Sequence, residues 1–107
     1  MTERLEQIKA LVAEDPEAPM PHYMLANEYW RAGQLEEAAH HARTYLGKVE
    51  GGDVGAAYGL LGRALAGLRR HEEARRAFET GIRAALAYNH RGLAAELQEE
   101  LQRLEGG

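Results

Sequence analysis

A chain of 107 residues with a formal charge of -4 has the length of one domain with one modest core. It contains no cysteine and no serine, which excludes disulfides, thiolate chemistry, sulfur-ligated metals and serine nucleophiles. The acidic balance counts against a nucleic-acid footprint, no apolar run approaches the roughly 20 residues of a membrane span, and the charged start Met-Thr-Glu-Arg is unlike a signal peptide.

In chain order, apolar residues recur at helical rather than alternating spacing. Leu5, Ile8, Leu11 and Val12 mark one face of a first helix, residues 2–14, which Asp15-Pro16 ends because a residue before proline is pushed out of the helical region. Tyr23, Leu25, Ala26, Tyr29 and Trp30 mark a second helix ending at Gly33. Leu35, Ala38, Ala39, Ala42, Tyr45 and Leu46 mark a third ending at Gly47. Gly51-Gly52 breaks the chain, and Asp53 is a good N-cap for a fourth helix carrying Tyr58, Leu61, Gly62, Leu65 and Leu68. A fifth runs from His71 to about Tyr88. Asn89 can cap a sixth, with Leu93, Leu97, Leu101 and Leu104 in one row. Six helices with short connections predict an all-α chain.

The second pair of helices repeats the first. Ala26 and Gly62, Ala38 and Ala74, and Leu46 and Ile82 are each 36 residues apart. A period of this size signals stacked helical hairpins. The small residues at 26, 38, 62 and 74 let paired helices approach closely, and the larger ones at 25, 29, 61 and 65 fill the space between layers.

These residues resemble the tetratricopeptide repeat. Its large-x-x-Leu-Gly-x-x-Tyr signature appears as His22-x-x-Leu25-Ala26-x-x-Tyr29 and again as Tyr58-x-x-Leu61-Gly62-x-x-Leu65. Gly33, Glu37, Ala38, Glu73, Ala74 and Phe78 match further positions, and Asp15-Pro16 matches the ending of a repeat. Arg69 stands where a turn glycine is usual, Ala42 where an aromatic is usual, and the 47–53 linker is longer than the norm. The resemblance implies a right-handed α-solenoid of antiparallel hairpins in one domain: a leading half-repeat helix (2–14), repeat one (19–52), repeat two (53–88) and a capping helix (89–105) that lacks the signature.

It also implies a protein-interaction scaffold whose first helices line a groove for a partner's peptide or helix. The groove positions are Tyr23, Asn27, Trp30 and Arg31 in repeat one, and Gly59 and Arg63 in repeat two. Tyrosine, tryptophan and arginine are enriched at binding hot spots. Asn27 can hold a peptide backbone, and Arg31 and Arg63 a carboxylate. The clamp used by chaperone-tail binders is absent: of Tyr23, Asn27, Leu60, His90 and Ala94 at its positions, only Asn27 matches.

Three further expectations follow. No catalytic, metal or cofactor site is predicted, since no histidine pairs with another at i+3 or i+4, and adjacent His40 and His41 read as a solvated face. The protein is expected to be a non-enzymatic, cytoplasmic bacterial protein, arginine-rich with only Lys9 and Lys48 as lysines. Two alternatives stand beside the scaffold. One is a homodimer or structural module built through the leucine row of the last helix. The other is an RNA-binding accessory role for Arg69, Arg70, Arg75 and Arg76, which the net charge and the lack of interleaved aromatics disfavour.

Overall fold

The computed structural model describes residues 3–106. Among them are α1 (Glu3–Glu14), α2 (Pro19–Arg31), α3 (Leu35–Lys48), α4 (Gly55–Gly67), α5 (His71–Ala87) and α6 (Arg91–Gly106), with no strand. The predicted first helix began at residue 2, which lies outside the described residues. Each helix packs on its chain neighbour, and α2 also touches α4 as α4 touches α6. The hairpins α2–α3 and α4–α5 therefore stack in a row, giving the expected all-α solenoid, 40 × 28 × 20 Å.

Local chemistry sets the boundaries. Asp15 stops α1 and folds back, its carboxylate accepting the Glu17 N–H at 3.2 Å. Pro19 and Pro21 then sit in the first turn of α2, where missing N–H groups cost nothing. Three turns share one construction. A left-handed residue follows the helix, and the next N–H closes back onto a carbonyl of the last turn. The residues are Gly33 (φ 79°), Arg69 (φ 65°) and Asn89 (φ 60°). The closing bonds run from Gln34 N to Tyr29 O at 2.9 Å, Arg70 N to Leu65 O at 2.9 Å and His90 N to Ala85 O at 2.8 Å. Arg69 thus keeps the turn without the glycine, at a cost of about 1 kcal/mol for its Cβ.

Two expected caps work differently. Val54, not Asp53, is the N-cap of α4. Asp53 accepts the Gly55 N–H at 3.1 Å and its carboxylate meets the His90 ring, so it joins two neighbouring loops. Asn89 is spent on its left-handed turn, and its side chain meets Arg91 rather than a helix N–H.

The core differs between hairpins. In the second, Phe78 is buried (2% exposed) against Gly62, where an added Cβ would lie 2.8 Å from the ring. The first hairpin has alanine at both equivalent positions, Ala26 and Ala42, both fully buried. A large ring opposite glycine in one copy corresponds to two alanines in the other.

The last helix continues the stack. Ala94, Leu97 and Leu101 stand 36 residues after Tyr58, Leu61 and Leu65. Helix α6 packs on α5 and α4 as α4 packs on α3 and α2. It was expected to lack the repeat signature, and its apolar residues nevertheless keep the register, with Gln98 where a small residue would stand. Leu97 is fully buried, and Leu93, Leu101 and Leu104 are half-buried against the core. The leucine row thus packs against the core of the chain.

Candidate functional site

The inner helices of the stack, α2, α4 and α6, carry all six groove residues expected from the sequence. Their surroundings divide them. At one end, Tyr23 is half-buried and stacks on Tyr45, ring centroids 5.0 Å apart. Asn27 donates its side-chain N–H to the Tyr23 carbonyl at 3.2 Å, within its own helix. Gly59 lies beneath Leu97, and a Cβ there would fall 2.7 Å from Leu97 Cδ2. It does not face an open groove, because α6 fills that space.

Arg63 was expected to offer its guanidinium to a ligand. It instead holds Glu100 of α6 in a two-pronged pair, Nε to Oε1 at 2.6 Å and a terminal nitrogen to Oε2 at 2.8 Å. Glu100 is only 17% exposed at its side chain. These hydrogen bonds, the largest influence on Arg63, hold it above the ordinary arginine range, with Glu96 and Tyr23 adding smaller contributions in the same direction. The pair latches α6 onto α4 in charge-assisted geometry.

The other end is open. A cavity of about 360 Å³ is lined by Trp30, Arg63, Ala66, Phe78, Glu100, Arg103 and Leu104. Trp30 is 39% exposed, unusual for so large an apolar side chain. Ala66, Phe78 and Leu104 give the cavity an apolar lining, and Arg103 makes no ion pair or hydrogen bond among the described residues. Beside Trp30, the exposed Arg31 lies 3.4 Å from Glu28, which also accepts Arg4 Nε at 3.0 Å. The structure therefore brings Trp30 and Arg63 together and sets Tyr23, Asn27 and Gly59 among packed neighbours.

Arg103 and Leu104 were missed in the sequence. Arg103 lies 72 residues after Arg31, two full periods. Carrying the period into the last helix would have found it.

A second polar group lies in the first hairpin. His22 is buried at 7% exposure. Its Nε2 meets the Pro16 carbonyl at 3.0 Å, and a carbonyl only accepts, so Nε2 carries the proton. His22 Nδ1 is then an acceptor, and the Nδ1 of His41, 3.2 Å away, donates to it. His41 also stacks on Tyr29, centroids 5.6 Å apart, and Lys9 lies over the other aromatic surface 6.0 Å from the Tyr29 centroid. Burial, then the charges of His40 and His22, lower His41 from 6.5 to about 4, with Glu37 opposing. Only His40 is thus a solvated surface residue, and His41 belongs to the packing. Among the described residues no three ligating side chains converge on a metal position.

Of the four arginines named for an RNA-binding role, two are held in ion pairs: Arg75 with Glu72 and Glu79, and Arg70 with Glu36 at 2.9 Å.

Comparison with known proteins agrees with this geometry. The tetratricopeptide-repeat family model matches residues 55–88, which run from the start of α4 to just past α5. A solved protein from Bordetella parapertussis superposes with a TM-score of 0.82 at 28% sequence identity, covering 98% of this chain and 90% of that one. No curated protein matches the chain. The second hairpin is thus similar to a tetratricopeptide repeat, and the chain as a whole is similar in fold to the Bordetella protein. The first hairpin, with alanine for the usual aromatic and a histidine pair in its packing, lies outside the matched segment. Among the described residues no helix is long and apolar enough to cross a membrane.

Proposed function

We propose that this protein is a non-catalytic interaction module of the cytoplasm. Its repeats, 19–52 and 53–88, hold a peptide or helix of another protein along the face of α2, α4 and α6. The family supports a protein-binding role in general. One observation carries the finer reading: the open cavity in which Trp30 stands exposed beside Ala66, Phe78 and Leu104. An exposed tryptophan on the rim of an apolar cavity is the arrangement that anchors binding interfaces. Arg63 contributes by fixing α6 as one wall, and Tyr23 and Asn27 support the far end. The dimer alternative would use a leucine row that is partly packed against the core, and the RNA alternative would use four arginines of which Arg70 and Arg75 are in ion pairs.

The test is selection of peptides from a random display library on the immobilised protein. Trp30→Ala and Ala66→Glu, at a half-open surface, should leave helicity and melting unchanged while weakening selected peptides about tenfold or more. Peptides that bind both variants as tightly as the parent would place the binding face elsewhere.

A further inference from the structure

The cavity beside Trp30 has a charge as well as a shape, and that charge points to a class of partner. Arg103 on α6 and Arg31 on α2 stand at the same register position, two periods apart, with Gly67 between them on α4. Of the two, Arg103 lines the cavity, while Arg31 stands outside its lining, paired with Glu28. Arg103 has no carboxylate partner among the described residues. Arg31 shares the single carboxylate of Glu28 with Arg4. Arg63 adds nothing, because Glu100 neutralises it. Glu96 influences Arg63 from one helical turn before Glu100, toward the Tyr23 end. A chain of net charge -4 thus keeps an arginine without a carboxylate partner among the described residues, Arg103, at the open cavity beside Trp30.

The molecule already shows which chemistry suits its inner face. Leu97 seats its methyl groups over Gly59 and Gly81, and Glu100, three residues on, grips Arg63. An apolar side chain in a small-residue slot, with a carboxylate reaching an adjacent arginine, is how α6 docks onto α4.

We propose that the Trp30 cavity receives an acidic segment of a partner protein, one large apolar side chain entering between Trp30 and Leu104 while a neighbouring glutamate or aspartate side chain pairs with Arg103. This rests on the groove reading above and names its partner class. Charge complementarity of this kind raises association rate and selects against basic competitors.

The probe is an acetylated, amidated heptapeptide, Gly-Glu-Glu-Leu-Glu-Glu-Gly, titrated against the protein while following the emission of Trp30, its only tryptophan. Three companions carry glutamine for every glutamate, lysine for every glutamate, or glutamine throughout with a free carboxylate on a terminal leucine. The acidic peptide should shift Trp30 emission and bind at least about tenfold more tightly than the glutamine and lysine versions, and Arg103→Gln should remove about fivefold of that preference. Raising salt from about 0.05 to 0.5 M should weaken it severalfold. Arg103 is exposed on the last helix, so the variant keeps its fold, as unchanged circular dichroism would verify. Equal binding of the glutamine peptide, or indifference to Arg103→Gln, overturns the acidic partner while leaving the groove standing. Preference for the terminal carboxylate overturns the side-chain source. Silence of Trp30 toward all four peptides overturns this proposal, and the library selection described above then decides the groove reading independently.

Discussion

The two hairpins have one register and two kinds of interior. In α4–α5 the contact is hydrocarbon: Phe78 presses on Gly62, and Leu65 and Ala77 belong to the same buried cluster. In α2–α3 the same three-dimensional positions hold Ala42, Ala26, Tyr29 and His41, with His22 joined to His41 through Nδ1. A repeat therefore specifies where helices cross and leaves free how the crossing is filled. Volume lost at Ala42 is recovered sideways by a stack of rings, at the cost of burying imidazole. The hairpin filled by hydrocarbon is the one the family model matches; the other keeps the geometry with polar rings.

The strongest way to break this contrast is Phe78→Ala. Removing a buried phenylalanine opposite glycine should cost about 4 kcal/mol in urea unfolding, whereas Ala42→Gly should cost only about 1. Comparable losses at the two sites would show that the second hairpin does not depend on its aromatic.

Acid should affect the first hairpin selectively. His41 is held near 4 in the fold against 6.5 unfolded, with His22, His40, Glu37 and the Lys9–Tyr29 contact as its surroundings. A lowered value means the unfolded chain takes up the proton first. Stability contributed by neutral His41 is therefore complete above pH 6.5 and is lost as pH falls toward 4. Allowing for solvent screening at a half-buried ring, the loss is about 2 kcal/mol. Urea midpoints at pH 7.5 and pH 4.5, for the parent and His41→Leu, check this. An equal pH slope in both proteins would assign the acid sensitivity elsewhere.

Gly62→Ala sharpens the contrast by volume. Alanine favours a helix by about 1 kcal/mol, yet a Cβ 2.8 Å from the Phe78 ring should make the change destabilising by about 1–2 kcal/mol net. Phe78→Leu in the same chain should give a smaller loss than the two single changes added together. The smallest effect is at the turn. Arg69→Gly, at φ 65°, should raise stability by about 1 kcal/mol, while Gly33→Arg at the matching turn should lower it by a similar amount. Thermal denaturation of the two variants measures both.

Helices, breaks and the 36-residue period were legible because each depends on residues close in sequence or repeated at a fixed interval. Ala26 and Gly62 announce their roles by their small size alone. The pairing of Arg63 with Glu100 was not legible, since 37 residues separate them and Glu100 sits among several similar glutamates on α6. The His22–His41 contact was hidden for a related reason. Helical spacing reveals histidine pairs only within one helix, and this pair bridges two helices, its members 19 residues apart. Arg103 stayed hidden because α6 has Gln98 where the signature asks for a small residue, although its leucines keep time with α2 and α4.

That α6 stands where another first helix would stand has a consequence for how such a chain can change length. The hairpin 53–88 meets the preceding helix through α4 and offers α5 to the next, and α6 accepts α5 through the same series of positions. A duplicate of this 36-residue module, inserted after Tyr88, would meet an α5 surface on one side and present an identical α5 to α6 on the other. Gene duplication could lengthen the protein from within and leave both ends sealed throughout.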